Sequence, residues 1–282
     1  SSDLQDSLVF MSQIEITDVT GGQSAYPAQP ASSRPAWWPT LPTVTPSEQK
    51  AVLLYAVSPG LALTARLQAQ GNYTVEWGDG SAPENFSSGA AATHTYDYDD
   101  VDLPAATPEG WKPAIVVVTP QGGHNLTLLD LALSHPDKPS AFYRFLHWAE
   151  VVVSGPSMTT LRVGTSSAID EFATPLRYAT ILSFAGTSLR GVLYNQTNLE
   201  EAYINCQGVQ NLEYGLAYSR ALRRLVLENT SSLTNIGYAL YESGLAILPP
   251  LNFSAVTTLT GFLAQSKVEV APLVTLPAAT RD

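Results

Sequence analysis

An apolar x-h-x-h pattern recurs through the last third of the chain, ending at Val163, Phe184, Ile204, Leu227, Leu248 and Val270 at intervals of 21, 20, 23, 21 and 22 residues. This spacing constrains the fold more than any other feature. A unit of about this length cannot close a core around itself and must stack on its neighbours. Between the apolar pairs runs a second pattern, a Ser/Thr-rich turn followed by an apolar residue and an aromatic. It appears as Thr165-Ser166-Ser167 with Ile169 and Phe172, Thr187-Ser188-Leu189 with Tyr194, Thr230-Ser231-Ser232-Leu233 with Tyr238, and Thr257-Thr258-Leu259 with Phe262. Each unit reads as strand, turn, short helical or 3₁₀ segment, next strand. The expectation is a twisted stack of coils from about residue 150 to the end, with Leu161, Leu182, Ala202, Leu225 and Val268 pointing inward in register.

Leu199-Glu200-Glu201-Ala202-Tyr203-Ile204 and Leu222-Arg223-Arg224-Leu225-Val226-Leu227 fit L-x-x-L-x-L, so the repeats resemble leucine-rich repeats, above all the irregular bacterial and phage subtype. They depart from it in lacking a regular asparagine three places past each strand.

At 282 residues the chain is long enough for two domains with cores of their own. Its formal net charge of −11, with only 14 Lys and Arg, removes the main ingredient of a nucleic-acid contact. No apolar run approaches the roughly 18 residues of a membrane span. Cys206 is the single cysteine; it cannot form an intrachain disulfide and reads as a small buried residue of the stack. Ser1 to Asp6 carries no basic region or cleavage-site pattern, and the expectation is a protein that works without secretory export.

The first 50 residues read as an attachment arm. Residues 9–16 form one strand pattern containing Phe10 and Ile14, followed by Pro27, Pro30, Pro35, Pro39, Pro42 and Pro46, which fix an extended, donor-poor chain. Trp37 and Trp38 lie in the middle of it. Two large indoles in a proline-rich segment need burial, either as a cap on the next domain or on a partner. Trp37, Trp38, Phe10 and Ile14 are therefore the candidate partner-binding residues.

From residue 51 to 136, short strands bounded by Gly, Pro and Asn turns indicate a β-sandwich: 52–57, 61–67, 73–77, 114–118 and an apolar stretch at 126–133. Tyr73-Thr74-Val75-Glu76-Trp77-Gly78-Asp79-Gly80-Ser81 with Thr93-His94-Thr95-Tyr96 resembles the hallmark pair of the polycystic-kidney-disease (PKD) type of immunoglobulin-like domain. In this reading Gly78 and Gly80 allow a tight turn, Asp79 accepts backbone bonds within it, and Trp77 plugs the core against 115–118. Phe142, Phe145 and Trp148 fall at helical spacing, which suggests an amphipathic helix over 140–148 capping the first coil at Val151. The fold class is mainly β: a PKD/Ig-like sandwich at 51–136, then a capping helix and leucine-rich-repeat-like solenoid at 137–282, behind the arm at 1–50.

No catalytic, cofactor or metal constellation emerges. The four histidines share no i, i+4 pair, and neither a nucleophile elbow nor a phosphate loop occurs. Asp97, Asp99, Asp100 and Asp102 have the oxygen chemistry for calcium but no EF-hand glycine, and solvated acidic loops are common. Glu200 and Glu201, adjacent on a strand, are expected to face opposite sides and so not to work as an acid pair.

The run from Trp37 through Lys50, then Gly71 to Gly80, and later Val153-Ser154-Gly155-Pro156-Ser157 resemble segments of bacteriophage structural proteins. The resemblance implies a non-enzymatic virion component, either a tail or baseplate fibre or a capsid decoration protein. It would partner other virion proteins and copies of itself, often as a trimer, and present a surface for a host glycan or receptor. The other reading is a bacterial cell-surface adhesin or carbohydrate-binding protein.

Overall fold

The computed structural model describes residues 28–60, 63–100, 102–136, 147–164 and 176–271. The expected strand with Phe10 and Ile14, most of the 140–148 helix and the Thr165 to Phe172 turn lie outside them. The described chain is mainly β, with no α-helix.

Among the described residues twelve strands form two sheets. The first has the order β12-β11-β10-β8-β1-β6-β3-β4 and the second β5-β2-β7-β9. Their bounds are β1 Lys50–Val57, β2 Thr64–Gln70, β3 Tyr73–Glu76, β4 Glu84–Phe86, β5 Ala91–Thr95, β6 Lys112–Pro120, β7 Leu128–Asp130, β8 Trp148–Gly155, β9 Thr160–Arg162, β10 Tyr178–Phe184, β11 Glu201–Asn205 and β12 Arg224–Glu228. The stretch 126–133 thus supplies only a three-residue strand, β7.

Strand β8 is where the large sheet changes character. It pairs antiparallel with β1 on one side and parallel with β10 on the other. The sheet therefore runs unbroken across the boundary expected at residue 136, and one hydrophobic cluster continues from Tyr55, Trp77 and Leu129 through Val151 and Ile181 to Leu225 and Leu248. Trp148, expected to close a helix, instead opens β8; its ring lies 4.9 Å from Tyr55 and its Nε1 donates to the Leu131 carbonyl. Helical spacing of three aromatics did not outweigh the β-branched run Val151-Val152-Val153 beside it.

Strand β1 is buried along both faces after Lys50, so its side chains divide between two cores. Leu53, Tyr55 and Val57 face the main cluster, while Leu54 and Ala56 join Trp38, Trp111, Ala149 and Tyr178 on the opposite side. A strand reading Val-Leu-Leu-Tyr-Ala-Val without alternation calls for cover on both sides.

The Trp77 turn packs as its chemistry demands. Trp77 is fully buried in the cluster with Val116 and Val118. Asp79 Oδ1 accepts from Ser81 N and Ser81 Oγ, and Asp79 Oδ2 lies 2.6 Å from His94 Nε2. His94 stacks on Trp77 at 4.9 Å, and Tyr96 OH donates to the Trp77 carbonyl. Burial pushes the Asp79 carboxyl up, but the bonds from Ser81 and His94 outweigh it and hold its pKa below the ordinary value. Gly78 is required here: its φ is +80°, and a Cβ would sit 2.4 Å from the Ile115 carbonyl oxygen.

Past β8 the chain stacks in parallel. Ala179, Ala202 and Leu225 align across β10, β11 and β12, as do Ile181, Ile204 and Leu227. A second line of parallel bridges joins Ser188, Asn211, Asn235 and Thr258. Main-chain bonds tie each turn to the next, for example Leu193 N to Gly215 O, Leu216 N to Ala239 O and Leu240 N to Phe262 O. Asparagines take part: Asn211 and Asn235 each cap their own turn by accepting from the amide two residues on, and Asn229 Nδ2, one residue past β12, donates to Asn205 Oδ1 at the end of β11. Cys206 is buried in this stack, and burial pushes its thiol up to about 12.

The expected inward set needs correction. Ala202 and Leu225 point into the core in register, but their β10 neighbour is Ala179; Leu182 is only half-buried, beside a bulge between Ile181 and Ser183 that shifts the alternation by one. Leu161 is buried on β9 of the other sheet, paired with Leu129. Val268 is buried one residue column earlier, following Leu199, Leu222 and Leu245.

Candidate functional site at the arm and the parallel sheet

Residues 29–41 lie across the outer face of β12, β11, β10, β8 and β1. At one end Gln29 accepts from Leu225 N at 3.1 Å and donates to the Ile247 carbonyl at 3.3 Å. Next, Ser33 Oγ contacts Glu200 at 2.8 Å, Glu201 at 2.9 Å and the Tyr178 hydroxyl at 3.1 Å. Arg34 then forms a forked pair with Glu150 on β8, with Nε at 2.8 and 3.1 Å from the two oxygens. Its other nitrogen donates to the Pro39 carbonyl, which fixes the turn that delivers the tryptophans.

The convergence of Glu200 and Glu201 on Ser33 corrects the expectation that they face opposite sides. Strand β11 begins at Glu201, so Glu200 is not yet subject to strand alternation. Both carboxylates are held by cations: Glu200 by Arg177 and Arg223, Glu201 by Arg224. Glu150 and Glu201 are both buried, and Glu200 is half-buried. For Glu150 the protonation balance is shifted. Burial pushes its pKa above the ordinary carboxylate value, and Arg34 offsets that only in part.

Trp38 is 3% exposed, set edge-on against Tyr178 at 5.2 Å and Trp111 at 5.6 Å. The guanidinium groups of Arg34 and Arg177 approach its ring at 5.7 and 5.5 Å. Of the two uses open to the indoles, Trp38 thus serves as a cap on its own chain. Trp37 is 44% exposed, resting against Trp38 and Trp111. The sequence treated the pair alike; the Trp38 N–H bond to the Pro35 carbonyl makes the turn that sends them apart.

Beside Trp38 opens a pocket of about 360 Å³ lined by Trp111, Glu109, Arg177, Asn198, Glu200 and Arg223. Arg177 bridges Glu109 and Glu200 across its floor. With aromatic walls and mutually paired charges, this geometry is suited to holding a polar surface in place. Sequence reasoning missed Trp111, Tyr178 and the three glutamates as partners of the arm; the double-faced burial implied by β1 was the available signal.

Elsewhere, the acidic loop closes on itself, with Asp97 and Asp100 accepting from the amides of Asp99 and Asp102. Among the described residues no group of three or more His, Cys, Asp or Glu is placed to hold a metal ion, and no helix is long and apolar enough to cross a membrane. Comparison with protein families, with curated proteins and with solved structures finds no match.

Proposed function

We propose that this chain is a non-enzymatic structural component of a bacteriophage particle, a surface appendage that attaches through its N-terminal region and presents its stacked coils outward. In this reading the two-sheet part is a PKD/Ig-like sandwich and the parallel stack a leucine-rich-repeat-like solenoid. The buried Trp77 turn and the coil-to-coil hydrogen bonds support those two assignments.

The observation that carries the functional reading is the seating of the arm. Gln29, Ser33, Arg34 and Trp38 pin it across the whole parallel sheet, while Trp37 stays exposed beside them. An exposed indole on a fixed base is a docking group with little ordering cost, because its backbone is already held. The virion partners would be other particle proteins and copies of this chain.

The test is competitive incorporation. Trp37→Ala, and separately removal of residues 1–27, should leave a folded chain that enters particles less well than the intact chain supplied alongside. Equal incorporation of both variants would place attachment elsewhere. The reading as a bacterial adhesin predicts instead that the chain is found on the cell surface and not in particles.

A further inference from the structure

Four successive turns of the stack repeat one backbone shape. Two residues in each turn adopt the left-handed conformation: Gly191 and Asn195, then Tyr214 and Tyr218, then Tyr238 and Glu242, then Gly261 and Gln265. Glycine and asparagine are the residues that tolerate this conformation, and a bulky aromatic there is unfavourable. At the first position two turns nevertheless carry tyrosine, Tyr214 and Tyr238, where the outer turns carry Gly191 and Gly261; the second position carries Asn195, Tyr218, Glu242 and Gln265. Strained side chains retained against an available glycine point to a use for the side chain itself.

That use has a place. Tyr194, Tyr214 and Tyr218 form one wall of a cleft of about 790 Å³ between the coil turns and the β7–β9 edge of the smaller sheet. The size lies within the roughly 300–1,000 Å³ usual for small-ligand sites. The tyrosines support one another, with ring centroids 5.3 Å apart for Tyr194 and Tyr218 and 6.1 Å for Tyr194 and Tyr214. Tyr238 stacks flat behind Tyr214 at 5.0 Å. On the opposite wall Gly164 lets β9 approach the coil: its N–H donates to the Val192 carbonyl, and a Cβ would meet Tyr194 backbone atoms at 2.7 Å.

The charges in the cleft are already neutralised. Arg162 pairs with Asp130 at 3.0 Å, and Arg190 pairs with Glu213 at 2.7 Å while lying 5.7 Å from the Tyr214 ring centroid. Among the described lining residues both arginines are paired, and the chain as a whole is strongly acidic, which disfavours a polyanion. Tyrosine rings with their phenols, and paired guanidinium and carboxylate groups, suit an uncharged ligand that is polyhydroxylated at its rim and apolar on its faces. We propose that this cleft is a binding site for a neutral oligosaccharide. The inference deepens the outward-presenting half of the function proposed above, and it rests on that reading only for where the ligand would be met.

The experiment uses the full chain and a panel of neutral oligosaccharides (glucans, mannans, galactans, N-acetylglucosamine oligomers) beside sulfated and sialylated ones, followed by titration of the best neutral binder. The variant Tyr214→Gly/Tyr218→Asn borrows the residues of the neighbouring turn, so its backbone keeps a conformation both residues accept. Binding should weaken at least tenfold with the melting transition retained. Arg190→Ala, on the exposed rim, should weaken it several-fold and gives a second reading should the double variant melt early. No neutral binding by the intact chain, binding only of acidic glycans that salt abolishes, or unchanged affinity in both variants would overturn the site. Glycan binding is scored without particles, and particle incorporation without glycan, so failure of one leaves the other standing.

Discussion

Trp38 and Trp37 are neighbours in sequence, but their substitution should have unequal consequences. Trp38 buries on the order of 200 Å² of surface, about 5 kcal/mol at roughly 25 cal/mol per Å². Trp38→Ala should therefore lower the unfolding free energy by about 3–5 kcal/mol in a denaturant titration. Trp37→Ala should lower it by markedly less, about 1–2 kcal/mol, since nearly half of its surface stays in water. A comparable loss for both would mean that the arm is not seated as described. His147 supplies a second residue-scale test. Burial, and then the neighbouring His135, push its pKa down to about 4, against about 6.5 in an unfolded chain. The folded state resists a proton that the unfolded state takes up. Stability present above about pH 6.5 is thus lost as pH falls toward 4, by about 3 kcal/mol. His147→Phe cannot titrate, so the difference in unfolding free energy between it and the natural chain should change across that window and be flat above it. Glu150 and Asp79, which titrate nearby, cancel in the difference.

At the scale of elements, the coil depends on columns of apolar residues, and one charge in a column should break it. Leu225 is fully buried between Ala202 and the following turn. Leu225→Asp, an unpaired buried charge, should cost roughly 3–5 kcal/mol and abolish the cooperative melt seen by circular dichroism. A variant melting like the natural chain would contradict the inward column. The columns were legible in the sequence to different degrees. The apolar pairs ending at Ile204, Leu227 and Leu248 recur at a nearly regular step, so a stack was evident. The bulge at Leu182 was not, because a one-residue insertion leaves the hydrophobic pattern nearly intact while turning the side chains over. The turn at Trp77 was readable as far as the backbone bond that Asp79 accepts from Ser81, because Gly78 and Asp79 have narrow conformational uses; the bonds from His94 to Asp79 and from Tyr96 to the Trp77 carbonyl were not. The tyrosine cleft was not readable. Tyr194 and Tyr238 served as markers of the repeat, but left-handed backbone at Tyr214 and Tyr218 leaves no compositional trace.

For the whole molecule, the continuity of the large sheet through β1 and β8 joins what the sequence divided at residue 136. That boundary was drawn from a change of pattern, and the pairing of β1 with β8 spans nearly a hundred residues, a separation no local signal reports. Two halves sharing a sheet and a core should unfold together, so calorimetry should show one transition with equal calorimetric and van't Hoff enthalpies; two resolved transitions would argue for independent domains. Residues 29–41 of the arm cross from β12 to β1 on the outer face of that same sheet, apart from the residues that line the tyrosine cleft, with Trp37 exposed beside Trp38. The most direct test of the proposed role is quantitative mass spectrometry of density-purified particles from a culture that produces this chain. A particle component stays in fixed ratio to the major particle proteins through successive gradients, and this chain should do so. Its absence from particles, with recovery in the cell-envelope fraction, would contradict the account.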